Sequence, residues 1–457
     1  MKNFLSVFRW DKAFAHKFLV VALPIVIQNL VQSSLHIIDG VMIGQLGDAP
    51  YAAVTQANRF TFVFQLFLYG AASGCGILMS QYWGKKDTGM IRQVMGLGFR
   101  LALLLVLIFG GLALLAPRHV ISLFLPQGES FEHAVTYLIC VAPGYLIQAL
   151  DNVYSNAMKS TEQTRIPMIA GVISILTNTF LNWVMIYGNL GCPAMGVQGA
   201  AIATVIAAFV SMTINITATY CLRMPTAAKP KDMKLPDKAT LKRFLLLITP
   251  VVFNEGLWSM GMTMYGVFYG RLGDAAVSAM GIYNTLDNLI FVMIYGIMSA
   301  SAILVGACLG AGDKDAAWLT AKRMLSACVA VGLVMGVVLL GVRGYLVSFF
   351  KVSAEAQKGA YGILTCAAFF IWLRSINTIN IVGVLRAGGD TFFSMMLDTC
   401  ALWLIGVPLV GFAALVLRLP IEQVFIFTYV EEAAKAIVGV RRFLSKKWMH
   451  VLTETGK

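Results

Sequence analysis

Carboxylates stand within stretches that are otherwise apolar, among them Asp39, Asp151, Glu255, Asp287, Asp398 and the neighbours Glu431 and Glu432. At the centre of a bilayer a charge costs at least ~2.5–3.5 kcal/mol on insertion scales, so an acid there takes a proton, binds a cation or pairs with a base. Reversible loading of a carboxylate by H⁺ or Na⁺ is the chemistry of ion coupling. Asp39 stands fifteen residues beyond Pro24, among Ile37, Ile38, Gly40 and Val41, where the alternative is a helix-end acid facing water. Glu255 stands five residues beyond Pro250, where the alternative is a snorkelling acid or the partner of a base. Arg374, inside Trp372, Leu373, Arg374, Ser375, requires a counter-charge, expected from an acid in a neighbouring helix. Arg59 and Lys435 lie nearer stretch ends, where long side chains snorkel. Glu431 and Glu432 precede Lys435 by four and three residues, the spacing of a helix-surface ion pair.

Other chemistries find no constellation. Gly306 to Lys314 has Asp313 where a phosphate-binding loop needs its second glycine, and no Ser or Thr follows the lysine. His16, His36, His119, His133 and His450 make no zinc spacing, and no aspartate-rich diphosphate motif is present. The eight cysteines are dispersed without a CxxC pair and read as small apolar packing residues. These absences argue against an ATPase, a metalloenzyme or a membrane-embedded transferase. No cofactor is expected.

The elements that must position the acids are membrane helices. Apolar residues make up 58% of the 457 and charged ones only 12%, half the charged share of a soluble domain. Mean hydropathy is +0.77. Twelve stretches are long enough to cross a ~30 Å hydrocarbon core: 18–43, 51–81, 93–116, 131–158, 166–187, 195–221, 243–269, 276–308, 321–349, 359–385, 392–416 and 420–440. Alternating ten-residue strands are not visible, so helices satisfy the backbone. The net charge of +13 follows from topology rather than from nucleic-acid binding. With the N-terminus cytoplasmic, the inside segments hold 25 of the 35 basic residues and the outside segments six. By the positive-inside rule this predicts a multi-pass protein of the cell (inner) membrane with both termini cytoplasmic, its first helix retained.

The chain also repeats itself. Shifted by 226 residues, 24–84 aligns with 250–310 without a gap and gives eighteen identities in sixty-one positions. Pro24 meets Pro250, Leu46–Ala49 meet Leu272–Ala275, and Tyr69 and Gly70 meet Tyr295 and Gly296. The predicted architecture is therefore all-α, with twelve transmembrane helices in two pseudo-symmetric six-helix bundles: 1–222, a cytoplasmic linker 223–243, and 244–457 with a short cytoplasmic tail. Six helices is an even number, so the halves share one orientation. Such parallel repeats serve alternating access to a mid-membrane site. The acids break the symmetry, since Asp39 maps onto Tyr265 and Glu255 onto Asn29.

Three groups of residues carry a resemblance to the multidrug and toxic compound extrusion (MATE) family over nearly the whole chain. They are Pro24 with the run Ile38 to Gly47, its repeat copy Tyr269 to Gly273, and Leu385 to Thr391. The resemblance implies secondary active efflux of small organic cations or drugs in exchange for Na⁺ or H⁺; a monomer in contact with membrane lipid, and no nucleic-acid partner, are expected. It implies Asp39 as the coupling carboxylate, the one place a metal ion, Na⁺, is expected. It further implies Glu255 as the acid of the seventh helix, Asp390 as the acid beside the tenth-helix motif, and Pro24 as a hinge of the first helix. Asp390, Arg374, Asp151, Asn178 and Asn182 are further coupling or gating candidates. One branch of the family carries a second aspartate in the fifth helix. Here Asn178 and Asn182 are the polar residues of 166–187, and Pro250 to Glu255 is about one turn shorter than the other branch leads one to expect. Asp390, in a glycine-rich segment, also reads as a turn former. A lipid-linked oligosaccharide flippase of the same superfamily would line its cavity with several bases, and only Arg374 and Arg59 qualify.

Overall fold

The computed structural model describes residues 10–350 and 352–453, without the side chains of His36 and Ile37. Lys2, Arg9, Lys351 and Lys457 of the charge count, and the His36 and Ile37 side chains, therefore lie outside the described residues. All regular structure among the described residues is helical. The long helices are α1 (Lys12–Gly44), α2 (Asp48–Gly84), α3 (Thr88–Leu115), α4 (Glu129–Ser160), α5 (Arg165–Tyr187), α6 (Val197–Cys221), α7 (Lys238–Gly270), α8 (Asp274–Gly310), α9 (Lys314–Ser348), α10 (Ala354–Leu385) and α11 (Thr391–Val416). These eleven are long and apolar enough to cross a membrane. The twelfth expected span is divided into Ile421–Ile426 and α12, Thr428–Leu444. Its charges, Glu431, Glu432, Lys435, Arg441 and Arg442, set it apart from the other spans.

The repeat is visible in the backbone. Helices α1, α2 and α3 begin 226 residues before α7, α8 and α9, and the first two pairs also end in register. The α1–α2 and α7–α8 turns both run through a left-handed glycine, Gly47 at φ 110° and Gly273 at φ 104°, a conformation glycine adopts without a Cβ clash. Pro24 and Pro250 lie inside α1 and α7, which continue through them as unbroken helix. Symmetry fails later: α10 ends in a π-helical segment, Thr378–Leu385, and α11 contains two more, Leu402–Gly406 and Phe412–Val416.

The chain packs as two compact units. The N-terminal unit comprises residues 23–252, and the C-terminal unit comprises residues from 253 onward with the described residues up to Ala22. In the N-terminal unit small residues allow close helix approach: Gly199 of α6 abuts the Met185 carbonyl of α5, where a Cβ would stand 2.6 Å away. Phe64 of α2 stacks on Tyr145 of α4 with ring centroids 4.6 Å apart. The segment after α6 folds against α3, where Arg92 donates to the Pro225 carbonyl at 3.2 Å and Arg100 to that of Met233 at 2.9 Å. In the C-terminal unit Tyr265, Tyr269, Ile363, Leu364 and Phe425 contribute to one apolar core. Gly332 of α9 lies against Trp372 of α10, and the start of α1 joins this unit through Asp11, 3.0 Å from Arg323 of α9.

Candidate functional site

In the N-terminal unit α1, α5 and α6 converge on Asp39. Asn178 and Asn182 stand one turn apart on α5, hence on one face. Asn182 donates to Asp39 Oδ1 at 2.6 Å and lies 3.0 Å from Asn178 Oδ1. Asn178 donates to Thr204 Oγ1 of α6 at 3.3 Å, and that hydroxyl donates to the Ala200 carbonyl at 2.9 Å. Both asparagines are buried, and Asn182 Oδ1 has no hydrogen-bond partner among the described residues. Tyr187, at the end of α5, fixes the end of α1 through the Met42 carbonyl at 2.8 Å. The site thus offers a carboxylate, two amide oxygens and a hydroxyl. This oxygen-only set suits a hard cation, and the carboxylate alone can take a proton. Asp39 forms no ion pair among the described residues.

Asp151 of α4 belongs to a different cluster. It accepts from Ser211 at 2.8 Å and from Asn215 at 2.6 Å, both one turn apart on α6. The structure therefore brings Asp39, Asn178 and Asn182 together and leaves Asp151 with partners of its own.

The acids of the C-terminal unit meet bases. Glu255 of α7 accepts from Arg386 at 2.8 Å, and Arg386 is only 2% exposed. Arg374 of α10 finds its counter-charge on α8: Asp287 accepts at 2.8 and 2.9 Å, Tyr283 lies at 3.1 Å, and the guanidinium sits 3.8 Å from the Phe291 ring centroid. Asp390, the residue before α11, does not cap that helix with its side chain; it accepts from Arg442 at 2.6 and 3.1 Å. Lys435 lies 2.7 Å from Asp398 and also meets Glu431. The helix-surface reading of Glu431 and Lys435 is corrected here: both are buried, at 4% and 3% exposure. Spacing of i,i+4 reports a shared helix face without saying which face.

Sequence reasoning missed Thr204, Ser211 and Asn215. The available signal was a line of polar side chains in an apolar helix, and the i,i+4 pair Ser211 and Asn215 points at one neighbour.

The MatE family's sequence model matches residues 24–184 and 250–411, the two repeats in turn. The chain belongs to the MatE family. It is a membrane transporter of the multidrug and toxic compound extrusion type and not an enzyme. It is similar to the multidrug resistance protein MdtK of Edwardsiella ictaluri, 26% identical over 406 residues that cover 86% of each chain. The MdtK protein of Yersinia pseudotuberculosis is 26% identical over 408 residues, again 86% of each. Among solved structures, a MATE transporter in complex with MaL6 superposes with a TM-score of 0.86 at 19% identity, over 98% of this chain and 99% of that one. A transporter of the MOP superfamily from Pyrococcus furiosus, described as having a binding pocket of reversed polarity, gives 0.84 at 18% identity over 100% and 99%. At these identities the likeness is one of fold.

Proposed function

We propose that this MatE transporter is a secondary active antiporter of the inner membrane, exporting small organic cations in exchange for Na⁺ or H⁺ by alternating access. The observation that carries the reading is the Asp39 carboxylate, held by the Asn182 amide at 2.6 Å without an ion pair among the described residues and with two further oxygen-bearing side chains in the chain of contacts. An acid so placed alternates between an ion-loaded and a free state without breaking a salt bridge. One elementary charge crossing 100 mV releases ~2.3 kcal/mol, enough for roughly fifty-fold accumulation if the exchange is electrogenic. The name of the MdtK relatives supports drugs as the cargo, and cation–π contact with aromatic side chains would hold a cationic drug. In this reading the protein acts as a monomer of two six-helix bundles joined through 223–243, with both termini cytoplasmic and α1 hinged at Pro24.

The test is dye efflux by the purified protein in liposomes, driven separately by a Na⁺ and by a H⁺ gradient. Asp39→Asn keeps the size and the hydrogen bond and removes the charge. It should leave insertion intact and abolish efflux under the gradient that drives the wild type. Export by Asp39→Asn at the wild-type rate would move the coupling site elsewhere, with Glu255 next in line.

A further inference from the structure

Repeat position 39 is filled differently in the two units. Its counterpart, 226 residues on, is Tyr265 of α7, whose hydroxyl donates to Glu431 of α12. Glu431 also receives the Lys435 ammonium, one turn along α12, and the same ammonium lies 2.7 Å from Asp398 Oδ1 of α11. Asn254 of α7 donates to the second Asp398 oxygen at 3.0 Å. The backbone makes way for this arrangement. Gly406 closes the π-helical turn Leu402–Gly406 of α11, and a Cβ there would overlap both the Tyr265 hydroxyl and the Glu431 carboxylate. Such π-turns inside α-helices are frequent at functional sites.

Two carboxylates share one ammonium, so the cluster carries one negative charge in excess. Among the described residues the neighbouring guanidiniums have acids of their own. Arg386, at the end of α10, is engaged by Glu255 of α7, and Arg374 of α10 by Asp287 of α8. Glu432, next on α12, adds a carboxylate that accepts from Asn377 at 2.7 Å. Tyr269 of α7 and Tyr429 of α12 are phenols and bring no positive charge. A second feature stands one turn beyond Lys435. Asn380, in the π-segment of α10, is wholly buried with neither amide atom hydrogen-bonded among the described residues, and its Nδ2 lies 2.9 Å from where a Cβ of Gly439 would stand. An amide left unsatisfied in the interior is a donor and acceptor available to a hydrated proton.

A buried carboxylate without its own counter-charge is neutralised by a proton. We propose that the Tyr265, Glu431, Lys435 and Asp398 cluster is a reversible proton-binding site of the C-terminal unit, separate from Asp39. On loading, a proton from water forms an O–H bond on Glu431 while Lys435 keeps its own proton and its contact with Asp398, and the cluster becomes neutral; on release the proton returns to water. Its place in the transport cycle rests on the antiporter reading above, but its existence does not.

The experiment is an infrared pH titration of the full-length protein in lipid nanodiscs, following the C=O stretch of protonated carboxyl groups. Asp39→Asn with Asp151→Asn removes both acids of the N-terminal helices and should retain a titrating buried carboxyl. Adding Glu431→Gln should remove a single proton equivalent from that signal. Lys435→Gln leaves two carboxylates together and should lower thermal stability more as pH rises, with Glu431→Gln restoring it in the double variant. An unchanged titration in Glu431→Gln would overturn the proposal, since the cluster would then be permanently ionised. Full efflux by Asp39→Asn would refute the coupling role of Asp39 and leave these titrations standing, so the two failures are distinguishable.

Discussion

In the N-terminal unit the acids within the helices, Asp39 and Asp151, are held by amides and hydroxyls, whereas in the C-terminal unit Glu255, Asp287 and Asp398 each meet a guanidinium or an ammonium. The frame that carries them is the same, with α1 to α3 starting in register with α7 to α9. Folding needs the frame and tolerates either electrostatic solution. An acid held by neutral donors keeps its charge available for a mobile cation. An acid locked to a base spends its charge on structure, because freeing it would expose two uncompensated charges to a low dielectric. The comparison therefore separates acids held only by neutral donors from acids that fix helices to one another.

The largest effects should come from exchanging these roles. Removing charge at Asp39 should eliminate gradient-driven efflux and leave the unfolding midpoint in detergent nearly unchanged. Removing Arg386 should do the opposite. Arg386→Met strands Glu255, and breaking a buried pair from one side costs about 3–5 kcal/mol. The loss should read out as a lowered unfolding midpoint, and Glu255→Gln in the same chain should recover most of it. If Arg386→Met were as stable as the wild type and instead lost coupling, Glu255 would belong with Asp39 as an ion carrier. An intermediate effect is expected at the α10–α11 turn, where Arg442 donates twice to Asp390 from a half-exposed position. Asp390→Asn removes the charge assistance and should cost about 1.5–3 kcal/mol, the range for hydrogen bonds to charged groups. Efflux normalised to folded protein should be unaffected, and a selective loss of efflux would assign Asp390 a part in gating.

The frame was legible in the sequence because its signals are local or periodic: apolar length gives the helices, and a fixed offset of 226 gives the repeat down to the left-handed glycines Gly47 and Gly273. Asp39 was legible as an acid in an apolar stretch. Its partners were half legible, since Asn178 and Asn182 stand out in α5 while Thr204 looks like ordinary helix. The pairings of the C-terminal unit were not legible. Glu255 and Arg386 are 131 residues apart and Asp287 and Arg374 87 apart, so nothing local distinguishes the true partner from other bases. The burial of Glu431 and Lys435 was hidden for a related reason: four residues of spacing give one helix face, and only the packing of α7 and α11 decides that it points inward. The π-turns leave no mark in an apolar run, because the backbone bonds change while the side-chain pattern does not.

The smallest expected effect tests the repeat at a turn whose two copies differ in the residue at the left-handed position. The turn before α3 reads Gly84, Lys85, Lys86, Asp87, and the turn before α9 reads Gly310, Ala311, Gly312, Asp313. Both aspartates cap their helices, Asp87 accepting from the Met90 amide at 3.0 Å and Asp313 from that of Ala316 at 2.8 Å. Both preceding residues are left-handed, Lys86 at φ 62° and Gly312 at φ 80°. A side chain costs roughly 1–2 kcal/mol in that region and glycine does not, although glycine frees the unfolded chain and returns part of the difference. Lys86→Gly should therefore stabilise the N-terminal unit by about 0.5 kcal/mol, and Gly312→Lys should destabilise the C-terminal unit by about 1 kcal/mol. Unfolding midpoints of the two variants measured side by side decide the matter. Opposite signs mean that the backbone conformation of the repeat governs both turns. A loss in both would show that Lys86 contributes through its side chain, and that the two turns share a shape without sharing its energetics.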